Sequence, residues 1–228
     1  SADIPAISDV DSDGDIDILT FDPAGSHVYW HENKSMELYG HSDSINLVRS
    51  DNCWGKFQEE FSTNSLILNL DEDCNTASGR ARTRHSGSTL LALDLDPNNN
   101  QGKELLLGDL TFNNMVMLFN GGSLDEAYMI DQDVNFPNYN QPINVTKFPS
   151  AFYLDLNKDQ LKDLIISPNG VNVSQNINNC HFYQNTGKST TNEIIEFEYV
   201  QNDFLVNSMI DVGANSNPVL FDLNNDNL

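Results

Sequence analysis

The sequence predicts an all-β fold assembled from β-propeller blades, three of them and part of a fourth, strung together through Asp-rich loops. Three observations predict it. One grammar, in which an Asp/Asn-rich loop joins two short apolar runs, recurs four times along the 228 residues. The leading loop aspartates are Asp9, Asp94, Asp155 and Asp222, spaced 85, 61 and 67 residues apart. A period of about 60 residues carrying three or four strands suits a propeller blade. Finally, no stretch shows the 3.6-residue apolar periodicity of an amphipathic helix.

The first unit, residues 5–33, runs from Pro5 through the loop Asp9–Asp17 into Ile18–Phe21, and ends on a third strand-like piece, His27–Asn33 (HVYWHEN). Residues 40–86 read as an insertion, which accounts for the long first spacing. The second unit, 89–120, carries the runs Leu90–Leu93 and Leu105–Leu107 and ends on Met115–Asn120. In the third, 150–185, Ala151–Leu154 and Leu164–Ser167 flank the loop, and His181–Asn185 ends it. The fourth, 218–228, stops inside its loop. These pieces are short, β-branched or aromatic, and bounded by Gly, Asn and Pro, as strands are. Three units and a part fall short of the four to eight blades of a closed ring, so the chain reads as a fragment.

Charge narrows the function. Against 11 Lys plus Arg stand 34 carboxylates, a formal net charge of −23. A nucleic-acid binder needs a basic face, and anionic lipid would repel this chain, so neither partner is expected. No apolar run approaches the roughly 18–20 residues of a membrane span, and membrane insertion is not expected either. With 12 Phe and 7 Tyr, the chain is too apolar for a disordered acidic tail. Ser1–Pro5 lacks the charged and apolar regions of a signal peptide. The acid is mostly short: 24 Asp and 31 Asn accompany 10 Glu. Asp and Asn favour turns and oxygen-ligand cages, whereas Glu favours helices.

The first loop has carboxylates at Asp9, Asp11, Asp13 and Asp17, a backbone-carbonyl position at Asp15, and Gly14 for a sharp turn. Alternating acids aim their oxygens at one point and repel one another unless a cation lies among them. Hard, all-oxygen ligation suits Ca²⁺ better than zinc or copper. An EF-hand would require Glu twelve residues in, between helices; Thr20 is there, inside a strand-like run. The third loop repeats the pattern with Asp155, Asn157, Asp159, the Leu161 carbonyl and Asp163, but Gln160 replaces the glycine, so weaker binding is expected. The second offers Asp94, Asp96, Asn98 and a closing Glu104, with about two extra residues. The fourth offers Asp222, Asn224 and Asp226. The competing reading is that these residues only make tight turns.

At Asp9-x-Asp-x-Asp-Gly-Asp-x-Asp-Ile-Leu, at Asp155-x-Asn-x-Asp-x-x-x-Asp-Leu-Ile and at the aromatic pieces ending in Asn, the chain resembles the FG-GAP/VCBS repeats of integrin-α-like β-propellers. The resemblance implies a ring, commonly of seven blades, with structural Ca²⁺ in its loops, and a scaffold that binds a protein or carbohydrate ligand at the cell surface. The Asp9 loop, Cys53-Trp54-Gly55 and Phe148–Phe152 are similar in style to surface or secreted proteins of Bacteroidetes bacteria, which implies export, by type IX secretion. In such a protein Cys53 and Cys74 are expected to pair. No catalytic motif is evident. The alternatives are the propeller part of a secreted, lyase-like polysaccharide-degrading enzyme, or a structural subunit of a surface or secretion assembly. Trp30 and Trp54 read as packing rather than sugar platforms, His27 and His31 as imidazoles on one strand face, Cys180 as a solitary thiol, and Arg80, Arg82, Arg84 and His85 as compensation for surrounding acid.

Overall fold

The computed structural model describes residues 3–23, 26–60, 63–71, 74, 87–96, 102–170, 177–189 and 194–209. It is all-β. The first sheet holds β1 (Ala6–Ser8), β2 (Asp17–Phe21), β3 (Val28–Asn33) and β4 (Leu47–Trp54), with the one-turn helix α1 (Ser35–Tyr39) between β3 and β4. A two-stranded hairpin follows, β5 (Gln58–Glu59) with β6 (Leu66–Ile67). The second sheet comprises β7 (Ser88–Leu93), β8 (Glu104–Asp109), β9 (Met115–Asn120) and β10 (Met129–Asp133). The third comprises β11 (Pro149–Leu154), β12 (Asp163–Pro168), β13 (His181–Lys188) and β14 (Ile195–Gln201). Each four-stranded sheet is an antiparallel meander in chain order, and none closes on itself.

Each sheet therefore has one strand more than the sequence pattern revealed. β4 lies inside the stretch read as an insertion at 40–86, pairing with β3 through Val28↔Trp54 and Asn33↔Leu47. That stretch also supplies core: Trp54 and Phe57 are fully buried, and Leu66 joins them. β10 and β14 lie beyond the ends read at 120 and 185. All three last strands escape notice because they are mostly polar; β14, IEFEYVQ, buries only alternate residues near its start. The fourth unit, 218–228, lies outside the described residues.

The sheets stack face to face. One core layer sets Leu19, Phe21, Val28 and Trp30 of the first sheet against Leu90, Leu105, Leu107 and Leu118 of the second. The next sets Leu93, Leu106, Met115 and Met117 against Leu164, Ile166, Tyr183 and Phe197 of the third. Side chains alternate faces along a strand, so a sheet covered on both sides must be apolar at every position, hence Leu105-Leu106-Leu107. Each such side chain taken fully out of water contributes roughly 1.5–3 kcal/mol before entropy is counted. The first strands β1, β7 and β11 neighbour one another in succession. Here the sheets approach closely: the Thr89 hydroxyl donates to the Pro149 carbonyl at 2.7 Å. A Cβ at Gly108 would meet that same oxygen at 2.1 Å, so only glycine fits.

Candidate metal centre

The β1–β2 loop is coiled so that backbone N–H groups take one oxygen each of Asp11, Asp13 and Asp15. Ser12 (φ 65°) and Gly14 (φ 102°) take left-handed conformations. The Asp13 N–H donates to Asp11 Oδ1 at 3.2 Å, and the Asp15 N–H to Asp13 Oδ1 at 2.9 Å. Asp9 Oδ1, Asp13 Oδ2 and Asp15 Oδ1 are buried and accept no hydrogen bond. Oxygens of Asp9, Asp11 and Asp13 lie within 4.8 Å of one another, a group that can hold a metal ion. Burial pushes the Asp11 carboxyl up to about 7, partly opposed by the Asp13 N–H and reinforced by Asp17, Asp13 and Glu32. Buried polar atoms are ordinarily satisfied. Three orphaned anionic oxygens in one loop fit a hard cation and no hydrogen-bond donor of the protein.

Two acids absent from the sequence reading join the cluster. Glu32 on β3 and Glu37 on α1 come within 4.8 Å of Asp11, and Glu37 also approaches Asp13 and Asp15. The Asp15 Oδ2 accepts the Met36 N–H at 3.0 Å, which fastens α1 over the loop. The short run Ser35-Met36-Glu37-Leu38, good helix formers with an acid in the first turn, was the available signal.

Asp17, read as the closing ligand, also fastens the loop. Fully buried, it accepts the Val10 N–H on Oδ2 at 2.9 Å and the Asn33 N–H on Oδ1 at 2.7 Å. Burial raises its pKa against those two bonds. It staples the loop to the end of β3, where the Asn33 side chain in turn accepts the Ser35 hydroxyl at 2.8 Å and the Asn46 N–H at 2.7 Å. Asp163 does the same in the third sheet, taking Leu156 N–H at 3.3 Å and Asn185 N–H at 2.9 Å. In the second sheet Glu104 Oε2 takes the Leu95 N–H at 2.8 Å.

The remaining loops differ in what their acids face. The third has the backbone of the first: Lys158 (φ 64°) and Gln160 (φ 74°) adopt the left-handed turn where Ser12 and Gly14 do, so glutamine accepts the strain. Yet Asp155 and Asp159 are exposed and satisfied within the loop. Asp155 takes the N–H groups of Lys158 and Gln160, and Asp159 those of Leu161 and the Asn157 amide. In the second loop lysines stand beside the acids, Lys103 at 3.7 Å from Asp94 Oδ2 and Lys188 on Asp96. Asn98, Asp222, Asn224 and Asp226 lie outside the described residues, as do Arg80, Arg82, Arg84 and His85. Among the described residues, groups of three potential His, Cys, Asp or Glu ligands occur only around the first loop.

Elsewhere, Cys53 and Cys74 form a disulfide with Cα atoms 5.5 Å apart, while Cys180 is a free, partly buried thiol. Trp30 and Trp54 are core residues. His27 and His31 flank the Tyr29 ring, at 5.6 and 6.4 Å between centroids, and do not converge. His31 Nε2 pairs instead with the Thr20 hydroxyl at 3.0 Å. No helix among the described residues is long and apolar enough to cross a membrane. No family model, curated protein or solved structure matches the chain.

Proposed function

We propose that this chain is a segment of a calcium-stabilised, FG-GAP/VCBS-like β-propeller, exported to the cell surface or beyond, where it serves as a scaffold for binding a protein or carbohydrate ligand. The three four-stranded meanders, stacked with their first strands adjacent, are in this reading consecutive blades. The disulfide is consistent with an oxidising compartment.

The observation that carries the calcium reading is the set of orphaned oxygens on Asp9, Asp13 and Asp15. Ca²⁺ takes six to eight oxygen ligands at about 2.3–2.6 Å in flexible geometry, which a loop of alternating aspartates can supply. The ion is structural: it neutralises crowded carboxylates and locks β1 to β2. Calcium titration by calorimetry tests the reading. One tight site, lost in Asp13→Ala and retained in Asp159→Ala, is the expected result. Wild-type protein whose melting is indifferent to both calcium and EDTA would overturn it.

A further inference from the structure

We propose that the cation site of the first loop is closed by α1: Glu37 is a ligand, and Lys34 is a built-in cation that occupies the same carboxylates until calcium displaces it. This rests on the reading of the first loop as a calcium site, and it concerns residues outside the loop motif.

Among the described residues, an α-helix occurs only with the first sheet. At the equivalent Asn120, which ends β9, and Asn185, inside β13, the chain runs into Gly121-Gly122 and Thr186-Gly187, and no helix follows either one among the described residues. After Asn33 it makes α1, held down by the bond from Met36 N–H to Asp15. Asp15 is 1% exposed. Its second oxygen, Oδ1, has no hydrogen-bond partner. Asp13, Asp15 and Glu37 each bring an oxygen within 4.8 Å of the others, so Glu37 stands over an unsatisfied, buried carboxylate. Two anions meeting in this way need a cation.

A cation is already near. The Lys34 ammonium donates to Glu37 Oε1 at 2.8 Å and to Glu32 Oε1. Glu32 is itself anchored on its other oxygen by the Ser50 hydroxyl. Lys34 thus neutralises the rim of the cluster from the solvent side, its side chain 32% exposed. An ammonium has one charge and three donors. It cannot reach the oxygens of Asp9, Asp13 and Asp15 while bound at the rim, whereas a divalent ion with six or more ligands can join loop and helix. Calcium and Lys34 then compete for Glu37, and the lysine sets the affinity lower than the carboxylates alone would give.

The test is calcium titration of the full chain in four forms: wild type, Glu37→Gln, Lys34→Met and Asp13→Ala. Losing a ligand carboxylate in Glu37→Gln is expected to weaken Kd about tenfold or more. Lys34→Met is expected to tighten it several-fold, because a positive charge leaves the site. A gain in affinity cannot come from misfolding, so the lysine variant keeps the test decisive. Should Asp13→Ala abolish binding while Glu37→Gln and Lys34→Met match the wild type, this inference falls and the loop site stands. Should the wild type bind no calcium, both fall together.

Discussion

Asp11→Asn separates a ligand from a turn-former by inverting the sign of its effect. The amide oxygen can still accept the Asp13 N–H, so the turn survives, and only the charge is removed. Without a bound ion, burial holds the Asp11 carboxyl at about 7 against an ordinary 3.8. A folded value above the unfolded one means that this group favours the fold fully below about pH 4 and loses that contribution as pH rises through about 7. Unscreened, the rise would be worth about 4 kcal/mol; Asp11 is only partly buried, so screening reduces it to on the order of 1 kcal/mol. In EDTA at pH 8 the variant should therefore melt higher, by about 2–4 °C for a chain of this size. With calcium at about 100 times its Kd, the wild type gains about 2.7 kcal/mol. The variant forfeits most of that and should melt lower by several degrees. Differential scanning calorimetry of both proteins in both buffers gives four melting temperatures. The same rank order in EDTA and in calcium would refute the argument.

Three further outcomes follow from other parts of the molecule. Burial pushes Glu104 up to about 7, with Asp94 adding to the effect and the Leu95 N–H and Lys103 opposing it; stability should fall as pH rises from about 4.5 to 7, and urea midpoints of Glu104→Gln should lack that slope. Asp163→Ala strands the Leu156 and Asn185 N–H groups and should cost about 2–5 kcal/mol, equally with EDTA or calcium, by denaturant unfolding. Reducing the Cys53–Cys74 bridge, which spans 21 residues, should cost about 3 kcal/mol and lower the melting temperature by about 6–12 °C.

The strands that were legible in the sequence are those written as short apolar or aromatic runs: β1, β2, β3, β7, β8, β9, β11, β12 and much of β13. β4, β10 and β14 were not legible. An outer strand satisfies its backbone by pairing on one side and leaves many side chains in water, so Leu-Val-Arg-Ser-Asp-Asn in β4 carries no strand signature although it completes a sheet. The same reason hid the role of the segment after Gly40, whose Trp54 and Phe57 enter the first core layer only because β3 positions them.

Sequence by itself determined the loops. Spacing of Asp, Asn and Gly over nine residues sets local turns through bonds between near neighbours, and the third loop takes the backbone of the first even with Gln160 in place of Gly14. Which loop presents bare oxygens was decided by the tertiary structure. Asp17 and Asp163 became staples because β3 and β13 bring Asn33 and Asn185 against them. The loop's own Lys103 and Lys188 of β13 face the acids of the second loop, and α1 with its N-cap Lys34 brings Glu37 and the lysine over the first. A carboxylate's partner is fixed by whichever group the fold brings within about 3 Å, and that distance is set by contacts remote in the chain.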